Sequence, residues 1–302
     1  MSFRHVAIIG LGLIGGSVGL ALAEHLPDIT TSGYDSDPQV RRRARERGLA
    51  GTIAETPGEA VRGADLVILC VPVGAMPEAA AAIAPDLSPS CVISDVGSSK
   101  RTITDTLTDA LPGFAVIPAH PVAGTENSGP DAGFATLFHQ RWCIVTPPPE
   151  ADREQVAMLV DFWESLGAMV ETMDADHHDR VLAVTSHIPH LIAYTIVGTA
   201  SDMEAVTRSE VIKYSAGGFR DFTRIAASDP TMWRDVFLNN KDAVLEMLDT
   251  FLTDLALMRE AIRAGDGQMM HDTFSRTRAI RRSIVALGQD DPRPDFGRSD
   301  HK

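Results

Sequence analysis

The sequence has little cysteine, little lysine and no long hydrophobic run. Its three cysteines are scattered over 302 residues, and such an odd, dispersed count is typical of reduced thiols in a cytoplasmic protein. No apolar run reaches the ~20 residues that a membrane span needs. The first residues also lack the basic segment and small-residue cleavage site of a signal peptide. We therefore expect a cytoplasmic protein that does not enter a membrane.

Positive charge is also scarce. The chain has 27 Lys and Arg against 41 Asp and Glu, a net charge of −14. Proteins that bind nucleic acid usually show the opposite balance, so a nucleic-acid partner is not expected. An acidic surface does not attract an anionic small molecule, which must instead be held by a few local cations. Those cations are mostly arginines, because the chain has four lysines.

Up to residue 173 the pattern predicts an α/β domain built on a Rossmann-type, doubly wound parallel sheet. Short apolar or β-branched runs alternate there with longer amphipathic stretches, an order that brings helices onto both faces of a parallel sheet. At ~100–200 residues per domain, the chain length indicates two domains. The predicted strands are 5–9, 30–34, 66–71, 91–94, 115–117, 142–145 and 170–173, and predicted helices are 14–26 and 152–166.

Residues 174–288 predict a second, all-helical domain. Strand patterns disappear there and apolar residues recur at helical spacing. The segment 237–258 is apolar on more than one side, so it must be buried on more than one side. A two-fold partner would cover the surplus, and we expect a homodimer formed through this domain. Residues 289–302 have little to bury and are predicted to be a flexible tail.

A glycine-rich loop follows the first strand. Gly10-Leu11-Gly12-Leu13-Ile14-Gly15 has the G-x-G-x-x-G spacing between an apolar strand and a helix. In this context the first glycine allows a tight turn, the second admits a pyrophosphate and the third lets helix and strand approach. The helix N-terminus then offers free N–H groups to phosphate. A plain strand-to-helix turn is the alternative interpretation.

Asp35 favours the cofactor interpretation. It lies 20 residues after Gly15, at the end of the second strand, where a carboxylate binds a ribose 2′-hydroxyl. The same carboxylate would repel a 2′-phosphate, so NAD is favoured over NADP. Arg41-Arg42-Arg43 just downstream is interpreted as the solvated face of the next helix. The predicted cofactor-binding residues are Gly10, Gly12, Leu13, Ile14, Gly15, Asp35, Val71 and Pro72.

Four further clusters have unusual compositions. They are DVGSSK (95–100), HPVAGTENSG (120–129), SHIPH (186–190) and GGFRDFTRIA (217–226) with DPTMW (229–233). Together with GLGLIGGS they closely resemble the prephenate/arogenate (cyclohexadienyl) dehydrogenases of tyrosine biosynthesis, over about residues 4–288. The resemblance implies a Rossmann domain, a helical dimerisation domain, and NAD-dependent oxidative decarboxylation of prephenate or L-arogenate to 4-hydroxyphenylpyruvate or L-tyrosine.

The resemblance also implies residue roles. His120 matches the catalytic histidine that hydrogen-bonds the substrate C4 hydroxyl, and Ser98 matches the serine that orients it near the nicotinamide. Arg224 matches the arginine that binds a substrate carboxylate. The other positions that match the substrate pocket or its gate are His187, His190, Trp233, Thr125, Glu126, Gly217 and Asp221.

Other interpretations remain for several of these residues. His187 and His190 stand three apart on a helix and could ligate a metal, but no nearby cysteine or carboxylate cluster supports this and no metal is expected. Trp233 could be simple core. Asp176-His177-His178-Asp179 is interpreted as a solvated helix start. A 6-phosphogluconate-type hydroxy-acid dehydrogenase and a non-catalytic NAD(H) sensor are the alternative functions.

Overall fold

A computed structural model describes residues 3–125, 127–207 and 217–286, excluding the side chains of 203–207 and 284–286. The chain divides into two compact units, Met1–Met247 and Leu248–Lys302. The predicted tail, 289–302, lies outside the described residues. This division does not test the domain boundary predicted at residue 173. That boundary stays a prediction.

The first unit begins with a six-stranded parallel sheet in the order β3-β2-β1-β4-β5-β6, which confirms the predicted Rossmann-type architecture. Its helices α1 to α5 occupy the connections between strands. The elements are β1 (His5–Ile9), α1 (Leu13–His25), β2 (Thr30–Tyr34), α2 (Pro38–Arg47), β3 (Thr52–Ile53), α3 (Pro57–Val61), β4 (Leu66–Leu69), α4 (Met76–Ile83), β5 (Val92–Asp95), α5 (Arg101–Ala110) and β6 (Ala115–Val116).

Both faces of this sheet are buried. Along β1, Val6 and Ile8 belong to one hydrophobic cluster while Ala7 and Ile9 belong to another, because successive side chains of a strand point to opposite faces. Each fully buried Val, Leu or Ile contributes about 1.5–3 kcal/mol of transfer free energy. This burial fixes the strands in register, and with them the loops at their carboxyl ends.

A smaller sheet follows, and here the structure differs from the sequence prediction. The order is β7-β8-β9, with β7 (Ala119–Pro121) antiparallel to β8 (Trp142–Val145), and β8 parallel to β9 (Met169–Thr172). The helix α6 (Arg153–Ser165) connects β8 to β9. The sequence pattern predicted the last two strands but not β7. Prolines 118 and 121 disfavour a strand there, and β7 tolerates Pro121 because it is an edge strand.

From Ala175 onwards, the described residues of the first unit are mainly helical, as predicted. This part contains α7 (Ala175–Leu182), a π-helical stretch (Ala183–His187), α8 (Ile188–Thr207), α9 (Gly217–Thr223), a 3₁₀ turn (Arg224–Ala227), α10 (Pro230–Asn239) and the start of α11 (Lys241–Ala264). Helix α7 begins where the Asp174 carboxylate accepts hydrogen bonds from two backbone N–H groups, and α10 begins where the Asp229 carboxylate accepts one from Met232 N.

The second unit contains the remainder of α11 and helix α12 (Gly267–Ala286). Gly265 at φ +69° allows the turn between the two helices. Large apolar side chains are exposed on both helices, among them Leu252, Leu255, Leu257, Ile262, Phe274 and Ile280.

Within the described residues, the helical run Ala175–Asp202 is long and apolar enough, by length and hydropathy, to cross a membrane. This threshold is a window mean that tolerates isolated polar residues, so the helix does not contradict the absence of a continuous apolar run of ~20 residues in the sequence. Central helices of helical domains share this composition. The same run carries buried His178, Asp179 and His187, which contact the site described next.

Candidate active site

The loops that carry the predicted site lie at one edge of the six-stranded sheet. Its strands are all parallel, so their carboxyl ends share an edge, which is where open α/β sheets bind ligands. The glycine loop follows β1, Asp35 follows β2, Val71 and Pro72 follow β4, and the segment 96–100 follows β5.

The glycine loop has the shape that a dinucleotide requires. Gly10 adopts φ +97°, and a Cβ there would lie 2.5 Å from the carbonyl oxygen of Cys70. A Cβ on Gly15 would collide with the carbonyl oxygen of Gly10, so this glycine allows α1 to pack against the loop. Gly12 has open space where its Cβ would be, at the N-terminus of α1. The open face offers backbone N–H groups to a pyrophosphate, and the loop therefore fits the dinucleotide.

Asp35 is held beside this loop. Its Oδ2 accepts a hydrogen bond from Leu11 N at 2.9 Å, and its Oδ1 accepts one from Asp37 N at 3.0 Å. The Arg41 guanidinium donates to the Asp35 and Ser36 carbonyl oxygens and pairs with Glu55. Arg41 is therefore engaged by the protein and is not simply the solvated cation that the sequence suggested. Of the other predicted cofactor residues, Leu13, Ile14 and Val71 are half-buried and Pro72 is exposed.

His120 lies in β7 and is 7% exposed. Its Nδ1 is 2.8 Å from Nε2 of His178 on α7, with the two rings in an edge-to-face arrangement. Burial is the main cause that lowers the pKa of His120 well below 6.5, and the neighbouring His178, Lys100 and His187 lower it further. The ring is therefore neutral at pH 7 and has one nitrogen lone pair.

Two residues that the sequence analysis misinterpreted complete this arrangement. His178 and Asp179 are buried, not part of a solvated helix start. Nδ1 of His178 lies 2.8 Å from Oδ1 of Asp179. The same carboxylate accepts hydrogen bonds from the backbone N–H groups of Lys100 and Arg101, at 2.7 and 3.0 Å, at the N-terminus of α5. Asp176 and His177 are exposed, as the sequence predicted, so the polar stretch is solvated at its first two residues and packs against α5 at its last two.

Lys100 extends into the core next to these histidines. It is fully buried with Asp95, and its Nζ donates to the Asp95 carboxylate and, at 2.8 Å, to the Ala119 carbonyl oxygen. Desolvation lowers the pKa of Lys100 and raises that of Asp95, while their mutual attraction opposes both shifts. Because Ala119 immediately precedes His120, this bond ties the position of β7 to the loop after β5.

His187 ends the π-helical stretch and is fully buried. The side-chain NH₂ of Asn240 donates to the Asp179 carbonyl oxygen at 2.9 Å and lies 3.1 Å from Nδ1 of His187. Nδ1 must then accept, which leaves the proton of the neutral ring on Nε2. Burial lowers the pKa of His187 to about 4, and the nearby Ser98 backbone opposes this shift weakly. Ser98 does not form a regular hydrogen bond with the ring, so Nε2 is buried without one among the described residues.

His190 and Trp233 form the next part of the site. Their rings stack with centroids 3.6 Å apart at an angle of 24°, and His187 meets the edge of Trp233 at 6.0 Å. Nδ1 of His190 donates to the Ser186 carbonyl oxygen at 2.8 Å. Desolvation and the nearby charge of Arg224 lower the pKa of His190. Trp233 Nε1 has no hydrogen-bond partner in the part of the chain described. Together with Nε2 of His187, it is the second buried nitrogen of this region without a partner there.

The remaining predicted residues are placed as follows. Arg224 begins the 3₁₀ turn after α9 and is exposed, as are Asp221 on α9 and Thr125 in the loop after β7; Gly217 is half-buried at the start of α9. Glu126 lies outside the described residues. Ring contacts, a backbone interaction and electrostatic influence connect Ser98, His120, His187, His190, Trp233 and Arg224. Among the described residues, no group of three His, Cys, Asp or Glu is arranged to hold a metal ion.

Comparison with known proteins gives consistent results. The model of the prephenate dehydrogenase nucleotide-binding domain matches residues 18–172, and that of the prephenate dehydrogenase dimerization domain matches residues 174–276. The chain is 46% identical to a cyclohexadienyl dehydrogenase of Zymomonas mobilis, covering 93% of this chain and 96% of that protein. It is 32% identical to a prephenate dehydrogenase of Bacillus subtilis, covering 91% and 75%.

A solved structure is similar throughout. Prephenate dehydrogenase from Aquifex aeolicus, in complex with hydroxyphenyl propionate and NAD+, superposes with a TM-score of 0.88 at 32% identity. The match covers 94% of this chain and 99% of that one.

Proposed function

The chain belongs to the prephenate dehydrogenase family, and on that premise we propose that it catalyses the NAD-dependent oxidative decarboxylation of prephenate, L-arogenate or both. The products are 4-hydroxyphenylpyruvate from prephenate and L-tyrosine from L-arogenate. The observation that carries the proposal is a buried, neutral histidine, His120, beside a sheet edge whose glycine loop fits a dinucleotide.

The chemistry needs a base for one proton. The substrate ring is a cyclohexadiene with a hydroxyl at C4 and a carboxylate at C1. His120 accepts the hydroxyl proton, C4 loses a hydride, and CO₂ leaves C1 as the ring becomes aromatic. NAD supplies the hydride acceptor. A neutral histidine is the form that can take the proton, and general-base assistance of this kind is typically worth ~10²–10⁴-fold.

The other side chains bind and orient the substrate. Ser98, in the loop after β5, orients the hydroxyl and His120 with respect to the nicotinamide. His187 offers its unpartnered Nε2–H to an oxygen of the substrate, and the His190–Trp233 stack packs against its side chain. Arg224 binds a carboxylate, for which its planar guanidinium is matched. Thr125, Glu126, Gly217 and Asp221 complete the pocket or its gate.

The dinucleotide is held by Gly10, Gly12, Leu13, Ile14, Gly15, Asp35, Val71 and Pro72. We assign residues 1–173 to the dinucleotide-binding domain and 174–288 to a helical substrate and dimerisation domain. The exposed apolar side chains of α11 and α12 support a homodimer, because exposed apolar surface on this scale marks an interaction site. We place the enzyme in the cytoplasm, without nucleic-acid or membrane partners.

Initial rates of NADH formation, measured separately with prephenate and with L-arogenate, test the proposal. Turnover of either substrate with release of CO₂ supports it, and the ratio of the two kcat/KM values gives the substrate preference. NAD binding without turnover of either would contradict it and favour the NAD(H) sensor. The 6-phosphogluconate-type alternative predicts turnover of a hydroxy acid instead.

A further inference from the structure

Three buried side chains form one hydrogen-bonded series behind the proposed base. Starting at His120, Nδ1 lies 2.8 Å from Nε2 of His178, and Nδ1 of His178 lies 2.8 Å from Oδ1 of Asp179. All three residues are less than 10% exposed. Nothing in the dehydrogenation itself requires a second histidine and a carboxylate at this place, so their burial calls for a separate explanation.

The proton positions in this series follow from its outer end. The Asp179 carboxylate also accepts two backbone N–H bonds at the start of α5, so both of its oxygens act as acceptors. Nδ1 of His178 must therefore donate to it, and the Nε2 of a neutral His178 must accept. The hydrogen bond between the two histidines then needs its proton on Nδ1 of His120, which donates to Nε2 of His178. The lone pair of His120 is left on Nε2, the nitrogen that the reaction needs.

From this geometry we propose that His178 and Asp179 are positioning residues that fix the tautomer of His120 and take up its proton charge during the reaction. The proposal rests on the function proposed above. When Nε2 of His120 accepts the substrate hydroxyl proton, its Nδ1 proton moves to Nε2 of His178. The positive charge then rests on His178, next to the Asp179 carboxylate, and His120 is neutral. One proton enters the series and none is lost.

The surroundings explain why the charge has to move. Lys100 is fully buried beside both histidines, so a cation that stays on His120 faces a like charge in a desolvated site. His178 has a carboxylate in direct contact, which His120 lacks. The titratable groups that act on the two rings are Lys100 and Asp95 near β5, Asp179 on α7 and His187 on the π-helical stretch.

Asp179 also gives the series an outlet. It lines a surface cavity of about 420 Å³ together with Arg101, Arg180, Asn240 and Lys241. A proton held on His178 can therefore leave towards water at its Asp179 end.

Variants of His178 test the proposal. His178→Gln keeps an acceptor oxygen for Nδ1 of His120 but cannot carry a proton, and His178→Leu offers neither. We expect His178→Leu to lower kcat by at least ~10-fold, up to the ~10²–10⁴-fold of the base itself, with little change in either KM. His178→Gln should retain more activity than His178→Leu. The matched control is His177→Gln, since His177 is the exposed neighbour on the same helix.

The pH profile distinguishes this role from simple packing. In the wild-type enzyme an acid-side proton goes first to the His178–Asp179 pair and reverses the tautomer of His120. In His178→Gln only His120 itself can titrate, beside Lys100 and without a contacting carboxylate, so the acid limb of kcat/KM should move to lower pH. Asp179→Asn should shift it in the same direction, and Asp176→Asn, an exposed change on the same turn, should not.

An acid limb of His178→Gln at the wild-type pH, or a wild-type kcat in His178→Leu, would overturn the proposal. If circular dichroism shows that His178→Leu does not fold, the pH profiles of His178→Gln and Asp179→Asn still test the proposal. Wild-type turnover is measured first, because its absence would count against the proposed function, whereas the comparison among variants bears only on this series.

Discussion

Asn240 controls the tautomer of His187, and its substitution has a calculable effect. Its side-chain NH₂ serves two buried acceptors at once, the Asp179 carbonyl oxygen and Nδ1 of His187. Asn240→Leu keeps a similar volume but removes both donors. Each buried acceptor left without a partner costs about 1–3 kcal/mol, so the free energy of unfolding should fall by roughly 2–6 kcal/mol.

Urea denaturation measures this loss. With an m-value near ~3 kcal/mol/M for a chain of this size, the urea midpoint should fall by roughly 0.7–2 M. Asn239→Leu is the matched control, because Asn239 is half-buried and its side chain makes one bond, to the Asp235 carbonyl oxygen at 2.8 Å. Its midpoint should fall by less than about 0.5 M.

Nitrogen NMR of the His187 ring tests whether Asn240 sets its tautomer. In the wild-type protein at pH 7 the proton should be on Nε2, and in Asn240→Leu both tautomers should be populated. The ring should stay neutral well below pH 6, since burial lowers its pKa to about 4. A wild-type ring protonated on Nδ1, or a variant as stable as the wild type, would refute the reasoning.

The proposed mechanism makes four further predictions. His120→Asn should lower kcat at least ~10²-fold with little change in KM. In the wild type, kcat/KM should hold as the pH falls below 6.5, because burial lowers the pKa of both His120 and His178 and both rings must be neutral for His120 to accept a proton. Arg224→Ala should raise the substrate KM about 10- to 100-fold, because it removes a hydrogen bond to a charged group, and should leave NAD affinity unchanged. If Arg220→Ala raises the substrate KM instead, Arg224 is not the residue that binds the carboxylate. Asp35→Ser should narrow the preference for NAD over NADP at least ~10-fold by removing a charge repulsion, and equal kcat/KM values for both cofactors in the wild type would contradict NAD specificity. Light scattering across a dilution series should show a dimer, and a fully active monomer of about half that mass would exclude it.

The glycine loop and the sheet strands could be predicted because their signals are local. Gly10, Gly15 and Asp35 stand at spacings set by one strand, one turn and one helix. Apolar β1 and β4 could only be buried on both faces. Strand β7 could not be predicted, since the two residues between Pro118 and Pro121 give no alternation, and its pairing with β8 is a long-range event.

The role of His178 and Asp179 was missed because their polar neighbours dominate the sequence. A local signal did exist. His178 stands four residues before Leu182, and Asp179 four before Ala183, so each shares a helix face with a buried apolar residue. What the sequence could not give is the partner of that face, the start of α5, which lies 79 residues earlier in the chain.

The π-helical stretch has a consequence for the spacing of the chain itself. Here the Ile188 N–H bonds to the Ala183 carbonyl, five residues back, so one residue more is wound into the turn than an α-helix would take. Removing one residue from Ala183–His187 would let the α-helix close with little net rotation, because the wider turn already takes up the extra residue. His190 would therefore keep its side of the helix and its place beside Trp233. What the extra residue sets is the position of the side chains inside the stretch itself, His187 among them, so a deletion there acts on the site at His187 and not on the helix beyond it.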